Sequence, residues 1–243
     1  MARDPVIITN KLRKEFGDFV AVNDISFEVM RGEIFGFLGA NGAGKTTAMK
    51  MLTGLLAPSG GSATVAGFDV MTQSDEVKRN IGYMSQRFSL YEDLTVKENV
   101  RFYGGIYGLS YSERKRKSAE LIERLGLLDM KRDKVADLPL GWKQKLAFSV
   151  ALLHDPAIVF LDEPTGGVDP LTRRQFWDLI YEAAERGVTV FVTTHYMDEA
   201  EYCERISIMV DGKIEALDTP AALKRQYNAA NMDEVFVKLA RGK

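Results

Sequence analysis

With one cysteine, Cys203, the 243-residue chain cannot form an internal disulfide, so a cystine-stapled scaffold is excluded and a reducing compartment is expected. Neither sign of charge is in excess: 32 Lys and Arg face 34 Asp and Glu, a net charge of -2, so no global positive field draws the chain to nucleic acid or anionic lipid. Long apolar runs are missing too. Stretches such as Ala157–Leu161 fall far short of the ~20 residues a membrane-spanning helix requires, and any membrane role is expected to pass through a partner. The start, MARDPVIITN, has no basic segment followed by an apolar one, so no signal peptide is expected. No repeat, low-complexity tract or Pro/Gly/Ser linker interrupts the chain. What remains is 46% hydrophobic, 27% charged and 10% aromatic, an ordinary globular composition with enough apolar residues for a sizeable core. Length alone, at about 150 residues per domain, predicts one large domain or two small ones.

Periodicity divides the chain into three parts. Val6–Thr9, Phe19–Val29, Ser62–Val65 and Ile81–Met84 read as strands, Ile34–Leu38 as a buried strand feeding a turn, and Lys45–Leu56 as a helix stopped by Ala57–Gly61. The middle is helical: Thr95–Tyr107, Ser110–Leu125 and Trp142–His154. The basic cluster Arg114-Lys-Arg-Lys117 is flanked by acids and reads as a solvated helix face rather than a nucleic-acid patch. Then come a strand at Ile158–Leu161, a helix at Leu171–Arg186, a strand at Val188–Thr193, and a hairpin, Arg205–Val210 and Lys213–Leu217, around Asp211-Gly212. Thr219-Pro220 predicts a capped helix start. Strands alternating with helices imply a mostly parallel sheet with an antiparallel N-terminal lobe and a helical insertion near 87–150.

Two motifs carry chemistry. Gly39-Ala40-Asn41-Gly42-Ala43-Gly44-Lys45-Thr46 fits GxxxxGK[ST], with Thr47 next, lying after a predicted strand and opening a predicted helix. Glycines let backbone N–H groups curl round phosphate oxygens, and the helix N-terminus adds partial positive charge. Lys45 is expected on the β- and γ-phosphates and the Thr46 hydroxyl on Mg2+. In Ile158-Val-Phe-Leu161-Asp162-Glu163, acids emerge at the carboxyl end of a buried strand, where open α/β sheets place their sites. Asp162 is expected to hold Mg2+ through water, and Glu163 to orient and polarise an attacking water. Together they predict a nucleoside triphosphatase.

The pair resembles the Walker A and Walker B motifs of the ATP-binding cassette (ABC) ATPases, and the resemblance covers nearly the whole chain. It implies an α/β P-loop NTPase fold of ABC type: a mostly parallel core with an N-terminal antiparallel β lobe (about 1–86 and 156–243) and a helical subdomain (about 87–155). It further implies ATP and Mg2+ as ligands. Gln86 looks like the Q-loop glutamine, which contacts the metal. Thr165-Gly-Gly-Val-Asp169 looks like the D-loop, whose Asp169 would link two sites across a dimer. His195 sits where the family has its switch histidine, and Phe16, before Gly17-Asp18, at the aromatic position that stacks on adenine. His154 and Cys203 match nothing and are expected to be structural.

One motif departs. Where the family's signature reads LSGGQ, this chain reads Leu138-Pro139-Leu140-Gly141-Trp142-Lys143-Gln144. In the family the serine hydroxyl and adjacent N–H groups bind the γ-phosphate of ATP held by the opposite subunit. Pro139 has neither hydroxyl nor N–H, and Leu140 adds bulk where glycine allowed close approach. Gly141, Gln144 and the helix N-terminus are left to bind an anion. The resemblance implies a second ABC ATPase domain as partner (homodimer, heterodimer or tandem half), a transmembrane permease domain and a place on the inner face of the membrane. The transport-coupling surface would be Arg87–Tyr107, with Phe88, Leu90, Tyr91, Leu94, Phe102 and Tyr103. That run and Met232–Phe236 resemble ABC-2-type exporters, and LPLGWKQ the second ATP-binding half of tandem multidrug-type ATPases. A solute importer would in some cases carry a C-terminal regulatory domain, for which the chain is expected to end too soon. The alternative class is a non-transport ABC ATPase of translation or DNA maintenance. It would need a long charged linker or coiled-coil insertion, for which 243 residues are expected to leave no room, and the net charge of -2 gives no nucleic-acid footprint. A P-loop kinase or GTPase finds no NKxD-type guanine reader.

Overall fold

A computed structural model describes residues 3–86 and 90–241. Alternating apolar residues in β1 (Pro5–Phe16) and β2 (Phe19–Met30) pair the two antiparallel, joined at the tight turn Gly17-Asp18. Next come β3 (Ile34–Gly39), α1 (Lys45–Leu52), β4 (Gly60–Val65), β5 (Phe68–Asp69), α2 (Ser74–Asn80) and β6 (Ile81–Met84). The first sheet has the order β2-β1-β4-β5 and is antiparallel throughout. Three helices follow: α3 (Val96–Ile106), α4 (Tyr111–Arg124) and α5 (Leu140–Ala151). Thr95 and Ser110 open the first two with capping boxes, each hydroxyl taking the N–H of a glutamate three residues on, whose carboxylate returns a bond. Then β7 (Ile158–Asp162), α6 (Pro170–Glu185), β8 (Thr189–Thr194), a 3-10 turn at Met197–Tyr202, β9 (Arg205–Val210), β10 (Lys213–Asp218), α7 (Pro220–Gln226) and α8 (Met232–Arg241) complete the chain.

The second sheet has the order β10-β9-β3-β8-β7-β6, parallel except for the edge strand β10. Because side chains alternate along a strand, its two faces carry different cores. Phe35, Phe37, Phe160 and Phe191 face the antiparallel sheet and meet Phe27 there, with ring centroids 5.2–6.3 Å apart in neighbouring pairs. Ile34, Leu38, Val159, Leu161, Val190 and Val192 face the opposite way, against the helices. Phe191 is fully buried and touches four of these rings, so Phe191→Ala is expected to cost ~3–5 kcal/mol.

The predicted elements are present, with shifted ends. Lys45–Leu56 stops at Leu52, because Gly54 takes a left-handed backbone (φ 68°) and closes the helix before Pro58 is reached. The Trp142–His154 helix starts earlier, at Leu140, with Pro139 as its N-cap, and ends at Ala151. The strand read at Val6–Thr9 runs on to Phe16. Helix α2 was not expected: its sequence, SDEVKRN, buries only Val77 and has no apolar periodicity to see.

Candidate functional site

Strands β3 and β7 are not neighbours; β8 lies between them, and the carboxyl ends of all three converge. The loop after β3 climbs through Ala40, Asn41 and Gly42, all exposed, and turns into α1 at Gly44. Gly44 has φ 103°, and a Cβ there would run into the Ala21 carbonyl, so only glycine fits. A Cβ on Gly39 would strike the Met209 carbonyl at 2.5 Å. From behind, the Asp211-Gly212 turn braces the loop: Gly212 donates its N–H to the Ala43 carbonyl (3.0 Å), and its own carbonyl accepts from Asn23 N–H (2.8 Å). No side chain caps α1, so its first N–H groups remain for an anion.

Lys45 is buried and curls back over this loop. Its Nζ donates to the carbonyls of Gly39 (2.8 Å) and Ala40 (3.2 Å) and stands 3.5 Å from Glu163 Oε1. Burial pushes the ammonium below its ordinary pKa, and Glu163 pulls the other way. Thr46 Oγ1 reaches Asp162 Oδ1 at 3.4 Å, and the same oxygen accepts from the Thr193 hydroxyl at 2.7 Å. Burial raises the Asp162 pKa, while the Thr193 hydrogen bond opposes the rise. A hydroxyl and a carboxylate side by side form a hard oxygen donor set, the kind Mg2+ takes.

Glu163 sits in a left-handed backbone conformation (φ 48°), held by its N–H to the Thr193 carbonyl and hydroxyl, each at 3.1 Å. Three groups surround its carboxylate. Besides Lys45, Gln86 Nε2 donates to Oε2 at 2.9 Å, and His195 Nδ1 lies 3.1 Å from the same oxygen without hydrogen-bond alignment. A non-glycine residue with a left-handed backbone thus gathers a lysine, a glutamine and a histidine from three strand ends around one carboxylate.

Residues 22–166 match the ABC transporter family. The chain belongs to that family. It is 49% identical over 243 residues to the probable multidrug ABC transporter ATP-binding protein YbhF of Escherichia coli K12, a match covering 97% of this chain and 42% of that protein. The chain therefore spans about two fifths of that relative's length. Among solved structures, an ATP-binding subunit of an ABC transporter superposes with a TM-score of 0.86 at 29% identity, covering 96% of this chain and 99% of that one. The cassette MJ0796, solved as a dimer in a post-hydrolysis state with ADP and phosphate, superposes with a TM-score of 0.78 at 26% identity over 88% and 98% of the two chains. The fold is that of an ABC ATPase cassette: an antiparallel sheet beside a mostly parallel P-loop sheet with helices.

The remaining predicted site residues of the cassette lie elsewhere. Phe16, 51% exposed, ends β1 with Lys14 Nζ 5.3 Å from its ring centre. Gly141 lies in the first turn of α5, where a Cβ would meet Thr172 Cγ2 at 2.6 Å, so the glycine lets the ends of α5 and α6 touch. Pro139, Leu140, Gly141 and Trp142 line a cleft of about 340 Å³ with Gly167, Val168 and Asp169. Gln144 does not join them: it is buried and points inward, Nε2 3.4 Å from the Gly166 carbonyl. Asp169 caps α6, Oδ1 accepting from the N–H groups of Leu171 and Thr172, and the Thr172 hydroxyl to Oδ2 holds its carboxyl below the usual range.

Of the coupling surface, Arg87 and Phe88 lie outside the described residues. Leu90 is buried in the core, whereas Tyr91 and Phe102 are exposed and Tyr103 packs at their edge. The Arg114–Lys117 cluster is tied down locally, Arg116 to Glu120 and Lys117 to Asp155. His154 Nε2 donates to the Ile81 carbonyl at 3.0 Å and its ring stacks on Tyr107, centroids 3.9 Å apart, while Cys203 is buried. Thr193 escaped the sequence reading. Its pairing with Asp162 is a register relation between β7 and β8, and no local pattern announces it.

Proposed function

We propose that this chain is the ATP-binding and ATP-hydrolysing cassette of an exporter, working with a second cassette and a transmembrane permease on the inner face of the membrane. The observation that carries the reading is the meeting of Lys45 with Glu163 at 3.5 Å and of Thr46 with Asp162 at 3.4 Å, a phosphate loop closed against an acid pair. In this reading residues 1–86 and 156–243 form the nucleotide core and β lobe, and 87–155 the helical subdomain. Gly39–Thr47 holds the phosphates with backbone N–H groups, and Phe16 supplies a face for adenine. Lys45 trades its two carbonyls and Glu163 for β- and γ-phosphate oxygens, which repays its burial with charge-assisted bonds. Thr46, Asp162 and Gln86 are the residues to hold Mg2+, whose charge offsets that of the phosphates.

Released from Lys45, Glu163 accepts a hydrogen bond from water and takes its proton as the water oxygen bonds to the γ-phosphorus and the bridging oxygen leaves with ADP. His195 is placed to hold the γ-phosphate beside that carboxylate. The non-transport alternative is disfavoured by a relative described as a multidrug transporter protein. Purified chain is expected to hydrolyse ATP, and Lys45→Ala to bind it roughly 10–100-fold more weakly and turn it over correspondingly less at limiting ATP. Full activity in that variant overturns the assignment.

A further inference from the structure

A buried carboxylate outside the nucleotide site links the loop after Glu163 to the turn after His195. Glu199, in the 3-10 turn after His195, is fully buried. The Thr165 hydroxyl, in the loop after Glu163, donates to its Oε1 at 2.5 Å. Arg173 Nε, from the first turns of α6, stands 3.6 Å from the same oxygen, while Oε2 has no hydrogen-bond partner. An unpaired carboxylate is costly to bury, so Glu199 favours the Arg173 guanidinium beside it, in ion-pair range although Nε makes no hydrogen bond. The Arg173 guanidinium carbon lies over the Tyr196 ring, 4.3 Å from the ring centre, and Nη1 reaches Asp198 at 3.4 Å. Tyr196 in turn packs against the imidazole of His195, centroids 4.2 Å apart. On its other side the same turn of α6 carries Thr172, which touches Gly141 of the signature helix, and Asp169 at its cap.

We propose that Arg173 and Glu199 are positioning residues: the Glu199–Arg173–Tyr196 stack sets the orientation of the His195 ring and links it to the loop after Glu163 and to the signature cleft. The chain of contact is continuous: an ion pair at 3.6 Å, a guanidinium over a phenol ring, and that ring against the imidazole. A carboxylate fixes a planar guanidinium, the plane fixes a ring, and the ring fixes the imidazole. Displacement of the Asp169–Thr172 turn by anything seated in the signature cleft must move Arg173, one residue further along the same helix, and with it His195. The proposal rests on the role given to His195 above.

Removing Arg173 alone would strand a buried carboxylate, so the test uses the doubly neutral pair Arg173→Gln with Glu199→Gln, and separately Arg173→Lys. The sequence has only two histidines, His154 and His195, so the ring Hε1 resonances of the whole chain are two signals, one an internal control. In the double variant the His195 signal is expected to move while that of His154 stays, with ATP affinity within twofold of the parent and turnover about tenfold lower. Arg173→Lys keeps the charge against Glu199 but loses the planar stack. It is expected to melt like the parent yet show the same His195 shift and reduced turnover. An unmoved His195 signal in both variants overturns the proposal whatever the activity. A shifted signal with parental turnover retains the stack as a structural link but overturns its part in catalysis, and points to the role of His195 itself. If the double variant does not fold, Arg173→Lys alone decides by the same two readings.

Discussion

The two ends of the nucleotide machinery in this chain are built to different standards. At the phosphate loop the key positions answer physical demands: Gly39 and Gly44 where a Cβ would strike backbone, a buried lysine with three partners, and a hydroxyl beside a carboxylate. At the start of α5 the demands go unmet. Pro139 caps the helix without a side-chain acceptor, Leu140 is 46% exposed on the rim of the cleft, and Gln144 is turned inward. A loop that must hold its own ligand is constrained by its own chain. Under the proposed function the start of α5 would meet a ligand held by another chain and be constrained by that partner rather than by its own packing; within this chain, Gly141 is required only where α6 needs the room.

The contrast can be broken from either side. Glu163→Gln is expected to have the largest effect, a loss of ~10²–10⁴ in turnover with ATP binding kept, read by steady-state hydrolysis beside a binding titration. An unchanged turnover number would remove Glu163 from the base role. Lys45→Ala removes charged hydrogen bonds worth ~1.5–3 kcal/mol, which corresponds to roughly 10–100-fold in ATP affinity. A fluorescent ATP analogue would measure it.

On the other side the sign reverses. Pro139→Ser with Leu140→Gly adds a capping hydroxyl worth about 1 kcal/mol and introduces a helix glycine costing about as much, so stability should hardly change. In a Glu163→Gln background, light scattering with Mg2+·ATP is expected to show more of the doubled mass than Glu163→Gln alone. Equal dimerisation would mean that the altered signature already serves. The smallest effect concerns Asp169→Asn, which keeps an acceptor at the cap but no ionised carboxylate. The folded pKa of Asp169 lies below its ordinary 3.8, so its contribution is fully present above that value and is lost as pH falls through the lower folded pKa. The melting-temperature gap between the two proteins should therefore be open at neutral pH and close in strong acid.

How far the sequence could be read depended on whether the information was local. Lys45, Thr46, Asp162 and Glu163 were legible because strand, loop and helix follow one another along the chain, and the Asp211-Gly212 hairpin and the Thr219-Pro220 helix start carry their own turn chemistry. Thr193 was not, since its bond to Asp162 exists only because β8 inserts between β3 and β7. The same holds for Glu199 and Arg173, 26 residues apart by their numbers and joined only by packing. Gln144 was legible as a residue but not in its direction, because helix α5 begins two residues earlier than its apolar pattern implies.

The Asp211-Gly212 turn has a practical consequence. Exposed two-residue hairpin turns are ordinarily the safest places to open a chain, insert a tag or create new termini. This one is mortised into the back of the phosphate loop through Ala43 and into β2 through Asn23. A cut or insertion there would spare both strands of the hairpin and still dismantle the nucleotide pocket, so a reporter or affinity tag belongs at almost any other surface turn.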